Sequence, residues 1–174
     1  MKKKSLLVAL CMFTLPCLQA QNIIPNDGII YLKAGISGNG NSWAEGADLS
    51  DALEYARTTT LNDVSEIWVA AGTYMPAYKP PTTSATTYRD VTFYLPEGIK
   101  VYGGFAGSAE TSLDQRDWKN NVTILSGDIG VAGNNTDNAH HVVVITQNNV
   151  VLDGFTVRTG YANESGSLSI DENN

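Results

Sequence analysis

The chain has 174 residues, with 18 acidic against 11 basic side chains and a formal charge of −7. That length suits one domain. The acidic balance argues against nucleic-acid binding, which needs Lys and Arg to neutralise phosphate, and against docking on anionic lipid or polyuronate by charge alone.

The first twenty residues stand apart. Lys2, Lys3 and Lys4 form a positive start, Leu6 to Leu15 is a short apolar run, and Leu18-Gln19-Ala20 places a small residue at a cut site. This is the pattern of a secretory signal peptide, with cleavage expected between Ala20 and Gln21. The run falls short of the roughly 20 residues a membrane span needs. A lipoprotein cut before Cys17 is the rival, but Thr14-Leu15-Pro16 is a poor site for it. Both cysteines, Cys11 and Cys17, fall in the removed segment. The mature chain is then exported without disulfides, and a packed core and a hydrogen-bond ladder must hold it. Loss of the three lysines leaves 8 basic against 18 acidic residues, taking the charge from −7 to −10.

After a polar lead-in, Ile29–Lys33 reads as a strand, rich in β-branched and aromatic residues. Gly35–Ser42 is a Gly- and Asn-rich turn, followed by Trp43. One helix is expected next. Asp48 or Ser50 caps it, Leu49, Ala52, Leu53 and Ala56 repeat at helical spacing, and Thr58–Thr60 ends it. Glu66–Ala71 is a strand ended by Gly72, and Met75–Arg89 is a proline-bearing loop. Val91–Leu95 and Ile99–Tyr102 are strands around Pro96-Glu97-Gly98. Val122–Leu125, Val142–Thr146 and Val150–Val157 complete the set, and Leu168 with Ile170 begins another.

Two of these stretches repeat. VTFYLPEGIKVYGGF at 91–105 aligns without a gap on HVVVITQNNVVLDGF at 141–155. Phe93 falls on Val143, Leu95 on Ile145, Val101 on Val151, Gly104 on Gly154 and Phe105 on Phe155. A self-match at fixed offset marks a stacked architecture. A helix with one apolar stripe suits the cap that such a stack needs at its end.

The blocks IYLKAGISGNGNSWAEGADLSDALEYA, EIWVAAGTYMP, VYGGFAGSAETSLDQRDWKNNVTILSGDI, DNAHHVVVI and VLDGFTVRTGYA occur in this order. Together they resemble the N-terminal region of bacterial secreted right-handed parallel β-helix proteins, the pectin-lyase-like and polymorphic outer-membrane-type group. The resemblance spans Ile29 to Ala162. It implies an all-β, right-handed parallel β-helix with an N-terminal capping helix, truncated at its C-terminus. The chain then divides into a signal peptide (1–20), a strand and capping helix (21–60) and the first β-helix turns (61–174). In such a coil, fifty residues make two turns of about 25. Phe105 and Phe155 become inward, stacked rings, with Gly104 and Gly154 at sharp bends. The competing fold is a β-sandwich of short strands.

Chemistry is less legible. The pectin-lyase-like resemblance implies acidic residues, often with Ca²⁺, on one outer strand face. Asp128, Asn134, Asn135, Asp137 and Asn138 make an oxygen-rich loop, and hard oxygens suit Ca²⁺. Asp128, Asn135 and Asp137 are the candidate ligands, although turns demand the same residue types. No other cofactor is suggested. His140 and His141 alternate faces on a strand and cannot share one ion without a bulge. No catalytic constellation stands out. Asp128 and Asp153 could lie on successive turns, but the sequence does not set their spatial separation, and Arg116 beside Asp117 reads as a solvated pair. Trp43, Tyr74, Tyr78, Tyr88, Trp118 and Tyr161 lie in or beside loops. Of these, Tyr78, Tyr88 and Trp118 are the candidate glycan contacts, since exposed rings stack on sugars. The expected function is a secreted or outer-membrane-surface module, a non-catalytic scaffold or adhesin contacting extracellular or host glycan. The alternative is the front part of a polysaccharide lyase or glycoside hydrolase.

Overall fold

The computed structural model describes residues 22–59, 63–81 and 87–163. The predicted signal segment and the strand start at Leu168 and Ile170 lie outside the described residues.

Among the described residues nine short strands carry the fold: β1 (Ile29–Leu32), β2 (Glu66–Ala70), β3 (Gly72–Tyr74), β4 (Phe93–Leu95), β5 (Lys100–Phe105), β6 (Thr123–Ser126), β7 (Val143–Ile145), β8 (Val151–Asp153) and β9 (Phe155–Arg158). An α-helix, α1 (Leu49–Thr58), follows β1. The strands form three sheets, ordered β1-β2-β5-β8, β3-β6-β9 and β4-β7. Every pairing between these strands is parallel. From β2 onward the chain visits the sheets in rotation, each new strand lying beside the one laid down a circuit earlier. This is the arrangement a β-solenoid requires, and it contradicts the β-sandwich alternative, whose sheets are antiparallel.

Strand alternation explains the interior. Ile30 and Leu32 on β1 lie beside Ile67 and Val69 on β2, and Ile67 lies beside Val101 on β5. All are buried in one cluster with Tyr74, Leu125, Phe93 and Leu95 from the other two sheets. Leu49, Ala52 and Leu53 of α1 join that cluster, so the apolar stripe of the helix covers core as its spacing predicts. Asp48 Oδ1 accepts the N–H groups of Ser50 (2.7 Å) and Asp51 (3.3 Å), capping the helix.

Two sequence expectations need correction. Phe93 pairs with Val143 and Leu95 with Ile145, so the fifty-residue offset is real. Those residues are direct hydrogen-bonded neighbours, however. Fifty residues make one circuit, lengthened by loop excursions, and not two turns of 25. The register then slips by one. Lys100 pairs with Val151 and Val101 with Leu152, because the turn after Ile145 is one residue longer than the turn after Leu95.

The slip matters most at the phenylalanines, which do not stack. Phe105 lies on β5 beside Ala70, in the first sheet. Phe155 lies on β9 beside Thr123, in the second. The glycine that meets Gly154 is Gly103: a Cβ on Gly103 would stand 2.6 Å from the Gly154 carbonyl oxygen. Gly104 is an extra residue, with φ +93°, in a register shift between Trp68 and Ala70. One added residue exchanges the two faces of a strand. Phe105 is thereby placed outside the sheet, fully buried against Trp43 and Trp68 instead of in the main core.

Two smaller differences follow from glycine corners. Gly72 does not end a strand; it begins β3 after the chain bends at Ala71. The predicted strand Val150–Val157 is two strands, β8 and β9, broken at Gly154 with φ +83°.

Candidate functional site

The outer face of the first sheet carries an aromatic column. Tyr31, Trp68 and Tyr102 occupy the same register position on β1, β2 and β5. On β8 that position is Asp153. Trp43 packs edge-on to Tyr31 at 4.9 Å, and Phe105 stacks on Trp68 at 4.7 Å with 12° between the planes.

The excursion 106–121 closes over this column. Its base is tied down by Asp117 N–H donating to Gly104 O (2.7 Å) and Gly104 N–H donating to Thr123 Oγ1 (3.0 Å). Its tip folds around Glu110. That carboxylate accepts the N–H groups of Ala106, Gly107 (3.2 Å), Ser108 (2.9 Å) and Ala109 (3.0 Å). Burial pushes the Glu110 carboxyl up, but these bonds outweigh it and hold it below its usual range. The Glu110 carbonyl accepts the Trp43 indole N–H at 3.0 Å, and Lys33 Nζ donates to Gly107 O at 2.9 Å.

Arg116 leaves this excursion and joins its parts. Its Nη1 meets Asp153 Oδ2 at 2.8 Å. Its guanidinium lies 5.0 Å above the Tyr102 ring and 6.0 Å from that of Trp118, both within cation–π range. Its partner is thus Asp153, thirty-seven positions away, and not the adjacent Asp117. Asp117 instead accepts from Lys119 N–H (3.2 Å) and Asn120 Nδ2 (2.6 Å), closing its own turn.

At the next corner, Asp153–Thr156, the chain passes from the first to the second sheet through Gly154 alone. The excursion stands on one side and bare corner on the other. Between them lies a cleft of about 260 Å³, lined by Trp118, Val122, Asp153, Gly154, Phe155 and Thr156. Trp118 is 56% exposed. A broad open ring beside a carboxylate and small polar groups can hold a flat, hydroxyl-bearing ligand. Its apolar face rests on the indole and its hydroxyls reach the acid.

The other expected contacts lie elsewhere. Tyr78 donates to Asp51 Oδ1 on α1 at 2.5 Å, and that bond is the main reason its hydroxyl pKa is pushed up to about 12. Tyr88 is exposed at the start of a short 3₁₀ turn, Tyr88–Asp90. Among the described residues no ring contact joins Tyr78, Tyr88 and Trp118, so they do not form one platform. Trp43 and Tyr74 are buried core rings, and Arg89 lies over Tyr161.

In the oxygen-rich loop, Asp128 Oδ2 accepts Gly133 N–H (3.1 Å) and Asp137 Oδ2 accepts Val131 N–H (2.8 Å). Asn135 is exposed at the start of the 3₁₀ turn Asn135–Asp137. Among the described residues no three His, Cys, Asp or Glu side chains gather where they could hold a metal ion. His140 Nδ1 lies 3.0 Å from Asp90 Oδ1, both side chains largely enclosed, so this histidine ties two loops together. No helix among the described residues is long and apolar enough to cross a membrane.

Sequence reasoning reached Trp118 and missed Arg116 and Asp153 as partners. The available signal was the register: Asp153 interrupts a Tyr-Trp-Tyr column. No protein-family model, curated protein or solved structure matches this chain.

Proposed function

We propose that this chain is an exported surface module whose stacked parallel strands form a right-handed β-helix capped by α1. It contacts glycan through the Trp118–Asp153 cleft and performs no catalysis. The observation that carries the reading is the exposed indole of Trp118 facing a carboxylate that Arg116 holds in place. The open indole offers a ligand a broad apolar face with a polar N–H at its edge. Three further features support the reading. The N-terminus has the signal-peptide pattern, the acidic surface disfavours nucleic acid, and the cleft is anchored on a rigid sheet corner.

The test is retention of the purified chain on a panel of immobilised plant and bacterial polysaccharides, beside Trp118→Ala. Retention of the parent, lost in the variant, supports the reading. Equal behaviour of the two overturns it. Sustained release of reducing or unsaturated ends would replace it with the lyase or hydrolase alternative.

A further inference from the structure

Charge is unevenly placed at the cleft. Arg116 is the cation paired with Asp153, and it is the enclosed member of that pair. Its side chain is 12% exposed, enclosed by the Tyr102 and Trp118 rings and bonded through Nε to Leu113 O at 3.1 Å. Asp153 is 55% exposed at the cleft wall. An incoming ligand therefore meets a carboxylate, a tryptophan face, the hydroxyl of Thr156 and the bare backbone of Gly154. The positive charge behind Asp153 is already paired.

We infer that the cleft takes uncharged sugars and rejects uronates, with Asp153 as the residue that sets this preference. The inference rests on the glycan reading above and narrows it. A neutral pyranose supplies hydroxyl donors that a carboxylate accepts, and such bonds to a charged acceptor are the stronger kind. A uronate brings a second carboxylate against the first. Like charges at close range repel, and the cation paired with Asp153 is already engaged. The net charge of −7 acts in the same direction at longer range.

Asp153→Asn makes the inference testable by a gain as well as a loss. Asparagine is isosteric and keeps an acceptor oxygen. It removes the negative charge and frees the Arg116 guanidinium, whose planar fork suits a carboxylate. Asp153 is the exposed partner, and Arg116 keeps its bond to Leu113 O and its contacts with the Tyr102 and Trp118 rings, so the fold survives loss of the pair.

Affinity electrophoresis of the full chain, in native gels cast with soluble glucomannan, xyloglucan or polygalacturonate, separates the outcomes. The parent is expected to bind at least one neutral polymer about tenfold more tightly than polygalacturonate, a difference of ~1.4 kcal/mol. Asp153→Asn is expected to narrow that ratio at least about fivefold by gaining polygalacturonate retention, as removal of a like charge predicts. Trp118→Ala is expected to weaken neutral binding without changing the preference. Equal or tighter binding of polygalacturonate by the parent, or an unchanged ratio in Asp153→Asn, overturns the selectivity and leaves the glycan reading standing. Retention by none of the three polymers overturns the glycan reading and this inference together.

Discussion

Phe105 and Phe155 follow the same Gly in the same repeat, yet the structure gives them different roles and different energies. Phe105 is fully buried, stacked on Trp68 at 4.7 Å and packed on Trp43 at 5.2 Å. Phe105→Ala deletes a whole ring from a close-packed site, a change that costs about 3–5 kcal/mol in protein cores. Phe155 is only partly buried at the edge of the main cluster. Its truncation forfeits a fraction of that transfer energy, about 1–2 kcal/mol. At about 2–4 °C per kcal/mol for a domain of this size, Phe105→Ala should lower the Tm by roughly 6–20 °C and Phe155→Ala by roughly 2–8 °C. Urea unfolding followed by tryptophan fluorescence measures both, and Trp68 reports directly on the Phe105 site. Two inward rings stacked on one axis would give similar costs. Equal destabilisation by the two substitutions, or a larger effect at Phe155, would refute the bulge at Gly104 and the outward placement of Phe105.

Glu110→Gln should cost about 1–3 kcal/mol, because an amide oxygen replaces a carboxylate that accepts four backbone N–H groups and the added NH₂ has no acceptor there. Its pKa is depressed in the folded chain, so its stabilisation is present in full above the unfolded-state value of about 4.3 and fades as pH falls through the lower folded value. Urea midpoints measured from pH 7 down to pH 3 should therefore fall more steeply for the parent than for the variant. Asp48→Ala removes the cap from α1 and should cost about 0.5–2 kcal/mol, whereas Asp48→Asn should cost less. Denaturant midpoints of the two variants check this.

Much of the architecture was legible because it rests on local patterning. The alternation Ile30/Leu32 and Ile67/Val69 placed strands, the Asp48 cap and the Leu49–Ala56 stripe placed the helix, and the repeat at 91–105 and 141–155 announced stacking. What the sequence concealed was register. Whether a glycine serves as a corner, as Gly154 does, or as a bulge, as Gly104 does, depends on the neighbouring strand. The placement of Phe105 turns on that ambiguity, and the number of turns depends on loop excursions that lengthen some circuits and not others. The site was hidden for a related reason. Arg116 and Asp153 are brought together by one circuit of the chain, and nothing in their local sequence marks the pairing. Trp118 was visible because a tryptophan in a polar loop is unusual in itself.

That 93–95 and 143–145 lie a single circuit apart is the claim on which the corner, the excursion and the cleft all depend. Tyr94 and Val144 are adjacent in the ladder between β4 and β7 and share its outer face. With Cys11 and Cys17 replaced, Tyr94→Cys with Val144→Cys places two thiols on neighbouring strands about 4.8 Å apart, within the 4.4–6.8 Å that a disulfide requires between Cα atoms. Mild oxidation followed by non-reducing mass mapping should show that bond formed rapidly and nearly completely. Two turns of 25 residues would hold the same positions about 9.6 Å apart, twice the strand spacing. Failure to cross-link in the folded chain would contradict the account.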